Sequence, residues 1–132
     1  MHKFSSLTLP ILLSDSVKRF GNRPALSFVD ESPLTYNELN ANVDALMAML
    51  EKHGLKSGDR VALLSSNMPN WGVAFFAIVS MGIIVVPILP DFSKEEIKNV
   101  LEHSEAKAIF VSQGLKSKVN LDLESLKSAF LV

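Results

Sequence analysis

Few side chains in this sequence have the type and spacing for chemistry. The histidines His2, His53 and His103 stand far apart, in no metal-ligand spacing. His53 and His103 each fall near the C-terminus of an expected helix, where partial positive charge is favourable; a structural role is predicted for both. Glu95/Glu96 and Glu102/Glu105 are carboxylate pairs, the residue type for acid–base work. Acids early in a helix favour its dipole, however, and the later pair is expected to face solvent. Gly54-Leu55-Lys56-Ser57-Gly58 has the glycines and lysine of a phosphate loop. It lacks Gly-Lys-Ser/Thr and precedes a strand instead of following one. Ser65-Ser66-Asn67-Met68-Pro69 does follow an expected strand, where an α/β fold places ligands. It contains no glycine to admit a pyrophosphate. Two readings remain for it: a weak anion site at a helix N-terminus, or, favoured, a helix cap supplied by Asn67. Trp71, Phe75 and Phe76 read as core, not as a stacking platform. Cysteine is absent, which excludes disulfides and thiol chemistry. No catalytic, cofactor-binding or metal-ligating residue is expected in this chain.

The elements around these residues are clearer. Between Arg60 and Asp91 there is no Asp, Glu, Lys or Arg. A run this long is either a membrane span of about 20 residues or the buried centre of an α/β sheet. Its punctuation favours the sheet. Ser65, Ser66, Asn67 and Pro69 make a turn, Gly82 stops a helix, and the β-branched Ile83, Ile84, Val85 and Val86 read as a strand that Pro87 ends. The run splits into strand, helix (about Met68–Met81) and strand. Thr35-Tyr36-Asn37-Glu38 and Ser93-Lys94-Glu95-Glu96 are capping boxes, with Leu34/Leu39 and Phe92/Ile97 at their staple positions. An earlier helix carries Leu9, Leu12, Leu13, Val17 and Phe20 on one face, with Thr8 placed to cap it and Gly21 to stop it. Residues 25–35 read as a small antiparallel hairpin, and Leu123, Leu126 and Phe130 as the face of a final helix.

The expected fold class is therefore α/β. A parallel-sheet β-α-β-α-β core has strands near 60–64, 83–87 and 106–111, preceded by an N-terminal helix and a small antiparallel hairpin. The division is N-terminal helix 1–22, hairpin 23–36, α/β core 37–112 and tail 113–132. The 132 residues suffice for one domain with its own core. A net charge of −1 gives no electrostatic case for nucleic acid or an anionic membrane surface. The mean hydropathy of +0.25 is high for so small a chain and suggests a face normally covered by a neighbour. The apolar stretch Leu7–Leu13 is short, contains Pro10 and has no small-residue cleavage site, so it does not read as a signal peptide.

The ordered string of these signals resembles a known family. It runs through Arg23-Pro24-Ala25-Leu26, Leu34-Thr35-Tyr36-Asn37-Glu38-Leu39, Gly58-Asp59-Arg60-Val61-Ala62, Asn67-Met68-Pro69-Asn70-Trp71 and Met81-Gly82-Ile83-Ile84-Val85-Val86-Pro87. This resembles the N-terminal segment of the adenylate-forming, AMP-binding synthetases, and covers the chain from about Leu9 to Ser112. The Asn-x-Pro-x-Trp block looks most like the long-chain fatty acyl-CoA ligase branch. The resemblance implies a parent enzyme in which a carboxylate attacks ATP to give an acyl-adenylate and pyrophosphate, and coenzyme A thiol then displaces AMP. It implies ATP, Mg²⁺, coenzyme A and a fatty or other apolar carboxylate for the parent, which would be cytoplasmic or peripheral to the inner face of the membrane. The family's phosphate loop, metal ligands and mobile lysine lie downstream of the matched stretch, so no site residue is carried over. The chain is then expected to be a single truncated N-terminal subdomain, inactive alone, whose partners are the rest of its large domain and a C-terminal domain, with possible self-association through an exposed face. Two other classes stay open: a stand-alone α/β interaction module and a small nucleotide-binding protein.

Overall fold

A computed structural model describes residues 8–132; His2 and the rest of residues 1–7 lie outside the described part. Helix α1 spans Leu9–Phe20, followed by strands β1 (Pro24–Leu26) and β2 (Leu34–Thr35) and helix α2 (Tyr36–Lys52). Strand β3 (Arg60–Leu64), helix α3 (Pro69–Ser80) and strand β4 (Ile84–Ile88) come next. Helix α4 (Lys94–Ser104), strand β5 (Ala108–Val111), a 3₁₀ turn (Gln113–Lys118) and strand β6 (Ser128–Leu131) complete the order. β1 and β2 form the expected antiparallel pair. The other four strands form one all-parallel sheet in the order β4-β3-β5-β6.

Side-chain alternation along the sheet assigns its two faces. Val61 and Leu63 of β3 pack with Phe110 beneath α1, α2 and α3; Ala62 and Leu64 pack with Ile109 and Val111 against α4 and the segment after β5. This is why β3 and β5 read as unbroken apolar runs. The charge-free run is β3, α3 and β4, and among the described residues no helix is long and apolar enough to cross a membrane. In α3 the buried side chains are Val73, Ala74, Ala77 and Ile78. Trp71, Phe75 and Phe76 pack half-buried on the same cluster, as expected.

Both capping boxes form. The Glu38 backbone N–H donates to Thr35 Oγ1 at 3.2 Å, and the Thr35 N–H donates to Glu38 Oε2 at 2.8 Å. Ser93 and Glu96 repeat the exchange at 3.3 and 2.7 Å. The N–H and hydroxyl donors of each Thr or Ser favour the carboxylate form, so Glu38 and Glu96 titrate below their ordinary range. α2 ends as expected at His53-Gly54, where the Leu55 N–H reaches back to Leu50 O at 3.1 Å.

Five local expectations need correction. Pro87 does not end the ladder: it lies inside β4, opposite Leu63. β4 is an edge strand, where a residue's N–H can face away from its neighbour, so the missing donor is tolerated. Leu123, Leu126 and Phe130 do not line a helix: helical turns are confined to the 3₁₀ stretch Gln113–Lys118, and Phe130 pairs with Phe110 in a fourth parallel strand. Its alternation of half-buried and exposed positions has the two-residue period that was missed. Thr8 precedes α1 but makes no side-chain cap bond. On α1 only Leu13 is buried, while Leu9 and Leu12 stay exposed. Gly21 follows α1 with φ −34°, so it is not a left-handed stop; a Cβ there would lie 2.7 Å from Oδ1 of the exposed Asn37 side chain.

Two glycines differ instructively. Gly58 and Gly82 both have positive φ, +85° and +69°. A Cβ on Gly58 meets nothing, whereas one on Gly82 would lie 2.7 Å from Ser57 Oγ, and Gly82 O accepts the Gly58 N–H at 2.9 Å. Gly58→Ala should cost about 1 kcal/mol through backbone strain alone, and Gly82→Ala about 2 kcal/mol because the Ser57 contact must also shift. Urea midpoints of the two variants check the order; equal losses would refute the steric part.

Candidate functional site

Right-handed crossovers decide where a ligand crevice can open. After β3 the chain crosses through α3 on one face; after β5 it crosses on the other. The switch point lies between the carboxyl ends of β3 and β5, at Ser65, Ser66, Asn67, Ser112 and Gln113. Ser65 and Ser112 are buried, and Ser112 N–H donates to Leu64 O at 3.1 Å. The Ser65 hydroxyl donates to Ser66 O at 2.9 Å.

The cap role expected of the 65–69 turn is not realised. Asn67 is exposed and is not the cap; Met68 takes that position, without a side-chain hydrogen bond. The N-terminus of α3 is also poor at holding anions. Pro69 has no N–H, and the Trp71 N–H is engaged by Met68 O at 3.0 Å. The hydroxyls at this crevice can accept or donate hydrogen bonds, but no acid, base or cation was placed there by the sequence.

The other singled-out residues are spread across the fold. His53 caps α2, with Nδ1 2.8 Å from Met49 O and its ring edge-on to Phe130 at 5.0 Å. His103 lies in the last turn of α4. Glu96 belongs to its capping box, and Glu102 lies 3.9 Å from Lys98. Glu105 accepts from Arg60 at 2.9 Å. Trp71 and Phe75 stack at 5.2 Å on the surface of the core. Among the described residues no group of three or more His, Asp or Glu could hold a metal ion.

The 54–60 loop lies at the amino end of β3 and is a structural clamp. Asp59 Oδ2 accepts the Lys56 N–H at 3.0 Å, and Oδ1 accepts from Lys107 Nζ, just before β5. The Lys107 ammonium, ahead of the Lys56 N–H, holds the Asp59 carboxyl below its ordinary range against the opposing effect of burial. Arg60 Nε donates to Ser104 O beside this pair. The Gly58-Asp59-Arg60 string signalled the turn, but Lys107, 48 positions from Asp59, carried no signal of its own.

An apolar concavity lies elsewhere, a trench of about 690 Å³ bounded by α2, the start of α3 and β6. Leu46, Met49, Val73, Phe110 and Phe130 line it, with Asn42 and Asn70 among its polar residues.

An α/β sheet with these crossovers, and this order of capping boxes and glycine turns, matches the AMP-binding enzyme family over residues 13–130. The chain belongs to that family of adenylate-forming enzymes. Among its relatives, the long-chain-fatty-acid–CoA ligase of Escherichia coli O6:H1 is 36% identical over 101 residues, 76% of this chain. That of Bacillus subtilis is 31% identical over 102 residues, 77% of the chain. Surfactin synthase subunit 2 of Bacillus subtilis is 32% identical over 108 residues, 82% of the chain. The chain spans 18% of each ligase and 3% of the surfactin synthase subunit. The N-terminal subdomain of Klebsiella oxytoca NpsA, solved with 3-hydroxyanthranilyl-AMSN, superposes with a TM-score of 0.76 at 26% identity, over 92% of this chain and 28% of that one. The anthranilate CoA ligase AuaEII superposes at 0.88 with 23% identity, over 99% of this chain and 27% of that one, which speaks to the fold alone.

Proposed function

We propose that this chain is the N-terminal structural part of an ATP-dependent acyl-CoA ligase acting on a fatty or other apolar carboxylic acid. The family match over residues 13–130 carries the adenylate-forming chemistry, and the two fatty-acid ligases at 31–36% identity support the acyl class. In the parent, ATP would activate the carboxylate as an acyl-adenylate, and coenzyme A would then take the acyl group as a thioester. The described residues at the switch point offer a poor fit to ATP or Mg²⁺. Pro69 and the engaged Trp71 N–H leave α3 a poor phosphate site, and no carboxylate cluster exists among the described residues. The chain's own work is to build the parallel sheet from which the large domain grows.

The isolated 132-residue chain should show no acyl-dependent ATP–pyrophosphate exchange; exchange above the blank would refute the structural role. A second reading has its own support, since surfactin synthase subunit 2 aligns over more of the chain than either ligase. In that case the parent would load an amino or aryl acid onto a carrier protein. Assaying the full-length parent with coenzyme A and with a phosphopantetheinyl carrier decides between them, acyl-CoA formation from a fatty acid favouring the first.

A further inference from the structure

Lys18, Arg19 and Arg23 crowd the end of α1, and no Asp or Glu occurs between Asp15 and Asp30. In the fold the two arginines meet one aromatic ring: their guanidinium carbons lie 5.1 and 5.5 Å from the centre of Phe20. Phe20 in turn rests near Tyr36, ring centroids 6.1 Å apart. Beside them Asn37 Nδ2 donates to Asn22 Oδ1 at 3.0 Å, which leaves the Asn22 amide nitrogen as a donor. These side chains line a polar depression of about 470 Å³ to which no carboxylate contributes.

Helix polarity explains part of the cluster. Lys18 and Arg19 lie in the last turn of α1, where cations offset the macrodipole, and Arg19 reaches Asp15 at 3.6 Å. An exposed pair at that distance contributes little. Arg23 lies beyond the helix, just before β1, yet its guanidinium returns to the Phe20 ring. Neither Arg23 nor Lys18 has a carboxylate partner among the described residues. Gathering like charges is unfavourable unless an anion sits among them. A guanidinium stacked on a ring keeps its planar fork, which matches phosphate oxygens in pairs. A phosphate monoester also offers three acceptor oxygens, one more than a carboxylate, to be shared among the three cations.

We propose that this depression binds a phosphate group, carried either by a small soluble ester or by a lipid headgroup. Arg19 and Arg23 supply forked donors, Lys18 a point charge and Asn22 a neutral donor. The site shares no residue with the switch-point crevice, and it does not depend on which acid the parent activates. A net charge of −1 gives no hint of it, because a sum over the chain conceals a local cluster.

Amide chemical shifts of the 132-residue chain, titrated with glycerol 3-phosphate at constant ionic strength, test this. Residues 17–23 and Asn37 should shift together and saturate with a Kd of about 1 mM, whereas acetate should produce no saturating shift. Arg23→Gln should weaken binding about tenfold, and Arg23→Lys, which keeps the charge but loses the fork, about threefold. Lys18→Gln, on the exposed helix surface, should weaken it about fivefold and serves if Arg23→Gln disturbs the turn. Lys98→Gln, the same loss of charge on α4, should leave binding unchanged. Sedimentation with phosphatidylcholine vesicles, with and without phosphatidic acid, separates the two sources. Sedimentation that needs phosphatidic acid and is reversed by glycerol 3-phosphate assigns the lipid headgroup; saturable glycerol 3-phosphate binding without sedimentation assigns the soluble ester. Shifts that never saturate, or equal losses in Arg23→Gln and Lys98→Gln, would reduce the cluster to diffuse charge and overturn the proposal. Vesicle binding that glycerol 3-phosphate leaves untouched would overturn it as well.

Discussion

Phe110→Ala should lower the stability of this chain by about 4 kcal/mol, the largest loss expected from a single side chain here. Phe110 is 1% exposed on β5, in the centre of the sheet. It fills the face beneath α2 and α3, with its ring centroid 5.1 Å from that of Phe130. Removing the ring forfeits its transfer free energy and leaves a void beside the trench, where neighbours relax only in part. Phe130→Ala serves as the comparison. Phe130 is half-buried on the edge strand, so its loss should be about half as large. Urea unfolding at constant m-value measures both. A Phe110→Ala loss below about 1 kcal/mol would mean that the sheet is not the stability core.

The second large effect concerns the clamp at the other end of the strands. Asp59→Ala should cost about 2–3 kcal/mol, below the range for a fully buried ion pair. Asp59 is 7% exposed, but Lys107 is 41% exposed, and its freed ammonium can turn to water. The Lys56 N–H loses its acceptor as well. The pH dependence carries a definite sign. The folded-state pKa of Asp59 is depressed, so its contribution is fully present above the unfolded value of about 3.9 and is lost as pH falls through the lower folded value. Stability should therefore fall with acidification below about pH 5, and Asp59→Asn should flatten part of that slope. The capping carboxylates Glu38 and Glu96 are depressed in the same direction and leave a residual slope in the variant. Identical acid profiles for wild type and Asp59→Asn would show that the Lys107 pairing does not persist in solution.

These two positions show how differently fold and site were legible. Residue order alone determined the elements whose causes are local. The Thr35–Glu38 and Ser93–Glu96 boxes are three-residue devices, and both appear with their expected bonds. The charge-free run announced a parallel sheet, because strands buried on both faces must be apolar on both sides; β3 obeys, while β4 in the same run lies at the edge with Ile84 and Pro87 exposed. The family string was readable for the same reason: its turns and caps are set within a few neighbours of each residue. Of the candidate site, the sequence showed the place, the turn at residues 65–69 after β3, because a ligand crevice in an α/β fold opens beyond the carboxyl end of a strand.

Only the tertiary structure decided what depends on partners distant in sequence. Pro87 looked like the end of a strand until β4 proved to be the sheet's edge. Phe130 fitted a helix period until its pairing with Phe110 drew the tail into the sheet. The Met68 cap displaced Asn67, and Lys107 found Asp59 across 48 positions. Strand pairing and ion pairing are non-local, so neither leaves a periodic mark on one segment. Which strands are edges, one with an interior proline and one without, exists only once the strand order is known.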